Sequence, residues 1–328
     1  MNKYLEFMLY ESDIEPFGLP DGVIFLNEEK LQFLEERADR IEKLFKSLNY
    51  KKVVPPAFEY YETFEKAGGS KVARRSFSFK DKDGKMLSLR FDMTTPIARM
   101  VSHAYNKKKA YRFYYCGSVF REQPFHKGKM RQLRQAGVEI IGENSNSIDI
   151  EIIGLFDKTL SLLSDNYVVV LGDIRPYKKL IELLNISDSK LEAIENIFNK
   201  KDKTSLRLLL SQIEGDEEVK NSLLNLIDFS GKQEKLIKDF KKIFPSYISE
   251  IMSDFFLTIE QLDNRLKERI IIDFALIKDF SYYSSLTMEG YIKDIGFPVA
   301  SGGRYDELFK RFDFDLPAIG FAVQLDFD

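Results

Sequence analysis

Two residues could do chemistry in otherwise apolar surroundings. Glu139 interrupts the run Val138–Ile141. A carboxylate in such a strand is buried, and a buried carboxylate needs partners. It reads as one half of a structural salt bridge unless a ligand supplies the partner. Arg121 closes the aromatic stretch Tyr111–Phe120. Its guanidinium is a rigid fork of donors that matches a phosphate or a carboxylate, although salt-bridged arginines are also common near strand ends. A basic cluster surrounds it: Arg121, His126, Lys127, Lys129, Arg131 and Arg134. Such clusters can grip a phosphate backbone. The chain has one cysteine, Cys116, and two histidines, His103 and His126. An internal disulfide is impossible, and a zinc cluster lacks soft ligands, so no metal site is expected. Cys116 reads as a buried structural thiol.

The elements that must position these residues follow from pattern. The 328 residues suit one large core or two unequal domains. A net charge of -3 gives no overall electrostatic case for nucleic acid. No segment approaches the roughly 18 apolar residues of a membrane span, and the first residues are too acidic for a signal peptide; a cytoplasmic location is expected. Leu31, Leu34, Ala38, Ile41, Leu44, Phe45 and Leu48 recur at helical spacing, with Asn27 as N-cap. Tyr50–Ala57 is extended and stopped by Pro55-Pro56. Ser76–Lys80 and Met86–Phe91 flank Asp81–Gly84 as a hairpin. Thr94 or Thr95 caps the next helix. Tyr111–Arg121, Leu133–Ile141, Tyr167–Gly172, Ile270–Ala275, Thr287–Tyr291, Pro298–Ala300 and Gly320–Leu325 are strands. Asp149–Leu163 and Asp254–Leu266 are helices, and a short one starts near Arg304. The Leu-, Lys- and Glu-rich stretch between is helical. The fold class is α+β with a mostly antiparallel sheet. The division is a core of residues 1–179 and 253–328 with a helical insertion at 180–252. Gly68-Gly69 and Gly302-Gly303 lack the spacing of a nucleotide-binding loop.

Five stretches, in order, resemble the catalytic body of class II aminoacyl-tRNA synthetases of the histidyl branch. Val53–Pro56 is similar to the end of the dimer-forming first motif. Leu89–Arg99 resembles the amino-acid-binding segment. Val119–Pro124, with Gly128-Lys129 and Arg131–Glu139, resembles the second motif and its loop. Ser301–Leu308 and Leu316–Ala322 resemble the approach to the third motif and its start. The resemblance implies a six-stranded antiparallel sheet flanked by helices, and a dimer. It implies a histidine pocket of Asp92, Thr94, Gln135, Glu139, Tyr283 and Tyr305. Asp92 and Thr94 would hold the ammonium group, Gln135 and Glu139 the ligand, and the tyrosines the imidazole. Arg121 and Lys129 would contact anions.

The same resemblance exposes departures. Phe327 falls where the third motif places an ATP-facing arginine, and Gln324 where it places a glycine. A phenyl ring cannot stabilise a triphosphate. Lys278 replaces an arginine used in activation and loses its bidentate fork; Ser281 replaces an acid. The sequence ends at Asp328, without the anticodon-binding domain expected of a tRNA-charging enzyme. These departures resemble the short synthetase-like regulatory subunits of ATP phosphoribosyltransferase. That resemblance implies a chain with no catalysis and no cofactor of its own, with histidine as effector. Its partner would be the short catalytic subunit, in a hetero-octamer of four regulatory and four catalytic chains that starts histidine biosynthesis. A truncated histidine-activating enzyme and an RNA-binding module are the alternatives; nucleic acid and membrane partners are not expected.

Overall fold

Asn27 opens the first helix. Its side chain accepts the Lys30 amide at 3.0 Å, and α1 runs Glu28–Ser47. The computed structural model describes residues 18–69, 73–104, 109–122, 130–277 and 282–327. Leu34, Ala38, Ile41 and Phe45 form the buried stripe of α1, while Leu31 and Leu48 remain exposed. The extended segment after it pairs only through β1 (Lys51–Lys52), because Pro55 and Pro56 cannot sustain a ladder. Next come β2 (Phe58–Tyr60), α2 (Tyr61–Gly68), β3 (Ser78–Lys80) and β4 (Met86–Leu89). The expected hairpin joins β3 to β4: Asp81 Oδ1 accepts the amides of Asp83 and Lys85 at 2.9 Å each, and Gly84 turns the chain at φ 81.

Helix α3 (Thr94–Ala104) starts as expected, but neither threonine caps it. Asp92 Oδ1 accepts the Thr95 amide at 2.7 Å; a carboxylate there meets the positive helix end as well as the free N–H. The chain continues through β5 (Tyr111–Phe120), β6 (Gln132–Ile141), α4 (Asn146–Ser161) and β7 (Tyr167–Asp173). Eight helices follow: α5 (Arg175–Leu183), α6 (Asp188–Asn199), α7 (Lys203–Leu210), α8 (Glu217–Leu226), α9 (Gln233–Ile243), α10 (Ser246–Ile251), α11 (Ser253–Gln261) and α12 (Asn264–Arg269). Only β8 (Ser230–Gly231) interrupts them. The helix expected over Asp254–Leu266 is thus two, because Asp263 caps α12 through the Arg265 amide at 2.8 Å. The last elements are β9 (Ile270–Asp273), β10 (Leu286–Ile292), β11 (Ala300–Arg304), α13 (Asp306–Arg311) and β12 (Ala318–Gln324). The strand expected at Pro298–Ala300 therefore lies later and runs through Gly302-Gly303.

Nine strands form one sheet in the order β1-β5-β6-β12-β11-β10-β7-β9-β8. The six from β5 to β7 are antiparallel throughout. Parallel pairs β1·β5 and β7·β9 flank them, so the α+β sheet is antiparallel at its centre and mixed at its margins. The period-two alternation of strands separates two cores. Tyr114, Ala136, Val138, Ile140, Ile319, Phe321 and Val323 face the larger one, with α1 and α4. Phe113, Tyr115, Leu133, Ile141 and Ala318 face the smaller one, with α3 and α13. Strands β2, β4 and β3 form a separate sheet. One guanidinium fastens both ends of the helical run: Arg175 grips Asp173 at the end of β7 (2.7 Å) and Asp254 on α11 (2.8 Å). Among the described residues no helix is long and apolar enough to cross a membrane.

The segment after β12 is clamped from α1. Arg37 Nη1 donates to the carbonyls of Leu325 (2.6 Å) and Phe327 (3.0 Å). Its guanidinium lies 4.3 Å from the ring centroids of both Phe33 and Phe327. Arg37→Ala is expected to lower the unfolding free energy by about 2 kcal/mol, the scale of a charged hydrogen bond. The reading is a lower urea midpoint at unchanged slope; an unchanged midpoint would show the clamp to be idle.

Candidate functional site

The site lies on the smaller-core face of the sheet, over two rows of paired residues. Directly paired antiparallel residues share a face. One row is Phe113, Glu139, Gly320 and Gly303; the next is Tyr115, Gly137, Ala322 and Ser301. The rows are nearly bare of side chains around Glu139 and Tyr115. A Cβ on Gly320 would lie 1.9 Å from Glu139 Oε2, and one on Gly137 would lie 2.4 Å from the Tyr115 hydroxyl. The glycines therefore make the floor on which the carboxylate and the phenol rest.

Glu139 has no solvent exposure. Thr94 Oγ1, from the first turn of α3, donates to its Oε1 at 2.6 Å. The Tyr305 hydroxyl, from the residue between β11 and α13, donates to Oε2, and Tyr115 lines the same cavity. Among the described residues no salt bridge reaches Glu139; two neutral hydroxyls hold it instead. Burial pushes the Glu139 carboxyl up to about 8 against the Thr94 and Tyr305 hydrogen bonds, and the Asp92 charge adds to the rise. Burial also raises Asp92, opposed by its Thr95 hydrogen bonds and by the charge of Arg121. Arg121 donates Nε to the Phe91 carbonyl at 3.2 Å, and burial lowers its pKa against the attraction of Asp92.

The structure brings Asp92, Thr94, Gln135, Tyr283, Tyr305 and Arg121 around one cavity, with Glu139 hydrogen-bonded beneath it. Lys129, Lys278 and Ser281 lie outside the described residues, as do His126 and Lys127. Gln324 and Phe327 do not line the cavity. The Gln324 amide donates to the Asp326 carbonyl at 3.3 Å, and the Phe327 ring belongs to the larger core. Sequence reasoning missed Tyr115, Tyr282 and Ser301. The signal for Tyr115 was the alternation of Phe113, Tyr115 and Gly117 opposite Glu139, Gly137 and Gln135, hidden because its neighbour Tyr114, on the other face, is also aromatic. Tyr282 packs edge-on against Tyr305, with centroids 6.2 Å apart. The three described members of the basic cluster point to different places: Arg121 enters the cavity, Arg131 pairs with Glu122 at 3.4 Å, and Arg134 starts from the opposite face of β6. Burial raises the Cys116 thiol, as fits a structural role. No group of acids, histidines or cysteines suited to a metal occurs among the described residues.

The cavity holds about 50 Å³. At roughly 10–15 Å³ per water this is room for a few solvent molecules, less than an amino acid needs. Carboxyls and hydroxyls opposite tyrosine rings suit a small cation with a flat apolar body. The Arg121 guanidinium beside them is a donor fork whose chemistry suits a ligand that also carries a carboxylate.

Fold and site together define a class II synthetase-like body of the histidyl type. The histidyl-tRNA synthetase family profile matches residues 22–327. The ATP phosphoribosyltransferase regulatory subunit of Caldanaerobacter subterraneus is 31% identical over 94% of this chain and 81% of its own length. That of Halothermothrix orenii is 34% identical over 89% of this chain and 71% of its own. The crystal structure of an ATP phosphoribosyltransferase regulatory subunit/histidyl-tRNA synthetase from Bacillus halodurans superposes with a TM-score of 0.83 at 26% identity, covering 96% of this chain and 83% of that one. The chain belongs to the histidyl-tRNA synthetase family and, within it, to the ATP phosphoribosyltransferase regulatory subunits.

The pH dependence of stability carries the signature of Glu139. Its folded pKa, about 8, lies above the ordinary carboxylate value near 4.3, so the folded state holds the proton more tightly. Stability is then full below about pH 4 and falls as pH rises toward 8. Urea midpoints are expected to decline over that window, and Glu139→Gln is expected to flatten the decline. An equally steep decline in the variant would assign it to another group.

Proposed function

We infer that this chain is the non-catalytic regulatory partner of a short-form ATP phosphoribosyltransferase, acting in the first step of histidine biosynthesis. The reaction, ATP with phosphoribosyl pyrophosphate giving phosphoribosyl-ATP and pyrophosphate, belongs to the catalytic chain. The observation that carries the reading is a divided site. The ligand-facing residues are assembled around Glu139, whereas Phe327, at the expected place of an ATP-facing arginine, lies in the core against Arg37. Histidine is the effector: Glu139 and Asp92 answer its ammonium and imidazole, Tyr283 and Tyr305 its ring, and Arg121 its carboxylate. Lys129, Lys278 and Ser281 belong to the same reading as an anion contact and two altered activation positions. The division into a core of residues 1–179 and 253–328 and an insertion of 180–252 belongs to it too, as does the hetero-octamer of four regulatory and four catalytic chains.

Phosphoribosyltransferase activity is expected only when this chain is mixed with the short catalytic chain, and histidine is expected to suppress it. Glu139→Ala should keep the activation and lose most of the suppression, because removing the carboxylate removes about 2–5 kcal/mol of buried pairing with a cationic ligand. Activation absent with both chains folded, or histidine-dependent ATP–pyrophosphate exchange by this chain alone, would overturn the reading in favour of a histidine-activating enzyme.

The dimer within that assembly is assigned to the exposed side of the small sheet. Val54 is 74% exposed, Phe58 53% and Tyr60 51%, and Phe58 meets Phe79 edge-on at 6.3 Å. Contiguous apolar surface of this kind marks an interaction face. Phe58→Asp with Val54→Asp is expected to shift the sedimentation coefficient of the isolated chain from dimer to monomer. A double variant that still sediments as a dimer would place the interface elsewhere.

A further inference from the structure

A cavity of about 50 Å³ admits an amino acid only if a wall gives way. Its floor is the sheet, where every paired strand would have to part. The wall formed by Tyr282 and Tyr283 is different. The segment from Tyr283 to Ser285 is irregular, and among the described residues four hydrogen bonds hold it. The Ser284 amide donates to the Arg304 carbonyl at 2.8 Å, and the Ile174 amide to the Ser285 carbonyl at 3.1 Å. The Asp306 amide donates to Ser284 Oγ at 3.3 Å. The fourth donor is a side chain: Lys178 Nζ, from α5, reaches the Tyr283 carbonyl at 2.5 Å. Its ammonium is largely buried there, and that burial lowers its pKa while Glu307 opposes the change. Helix α5 packs in turn against α8 and α10, and Arg175 at its start holds Asp173 and Asp254.

We propose that Lys178 is a positioning residue that couples the pocket to the helical run, moving with the tyrosine wall when a ligand enters and carrying that movement into α5 and α8. This rests on the reading that the pocket takes histidine. The physical basis is that one end of a long flexible amine follows the Tyr283 carbonyl while its stem is fixed in α5. A ligand that shifts the wall therefore has a different interaction energy with the two positions of α5, which is what coupling between separate sites requires.

Hydrogen exchange of the full chain with and without L-histidine tests the coupling, alongside a calorimetric titration with L-histidine. In the wild type, histidine is expected to slow exchange around Asp92–Thr95 and also in α5 and α8, by at least about fivefold, the low end of ordinary coupling energies. Lys178→Met should still bind histidine and protect Asp92–Thr95 but lose the slowing in α8, and Lys178→Arg should restore it. Lys178→Gln serves the same comparison if the methionine variant does not fold. Protection at Asp92–Thr95 without any at α8 in the wild type would overturn the coupling alone. So would wild-type protection in a folded Lys178→Met or Lys178→Gln chain. No heat and no protection anywhere in the wild type would overturn the histidine reading, and the coupling with it.

Discussion

The smaller core is organised by one carboxylate with no water around it. An isolated charge of that kind is prohibitive in a protein interior, and even a neutral carboxyl needs every polar atom paired. Glu139 meets that demand with hydroxyls from two elements, Thr94 on α3 and Tyr305 ahead of α13. Each partner must arrive within hydrogen-bonding distance, so the helix, the strand and the turn are fixed relative to one another. The opposing strand must also lack a side chain, and Gly320 supplies that gap. Buried networks of this sort strengthen when complete and fail when half satisfied. The position of Glu139 thus ties together register, helix start and turn in a way that apolar packing alone would leave looser.

The architecture was largely legible in advance because it rests on repeated local signals. The stripe of α1, the Asp81–Gly84 hairpin and the alternation of β5 and β6 are properties of neighbouring residues. What was not legible depends on residues far apart in the chain. Asp92 rather than Thr94 caps α3 because Thr94 is needed by Glu139, on a strand 45 residues later. The β11 strand was placed too early because Gly302-Gly303 reads locally as a break, whereas the bare floor of the site requires it. Glu139 was recognisable as exceptional, but a salt bridge was the expected partner. A threonine and a tyrosine hydroxyl carry no charge pattern along the sequence and converge only through the sheet. Tyr115 was concealed for the same reason, since alternate residues of its strand face both cores with aromatic rings.

The two cores separate the cavity from the end of the chain's last strand. Residues around the cavity stand on the smaller-core face, inside a network whose loss would leave polar atoms unpaired. The end of β12 leads out of that face. Beyond Gln324 the chain turns toward α1, and Arg37 receives Leu325 and Phe327 through carbonyls and ring faces. A phenylalanine there gains burial and an arginine contact. The strand end is structural, packed in the larger core, while Glu139 keeps its own partners on the other face. On the proposed reading, a phenylalanine in place of a cation facing a triphosphate removes the electrostatic stabilisation on which nucleotide activation depends. On that reading, a site that opens against a tethered wall is suited to reporting the presence of its ligand to a partner.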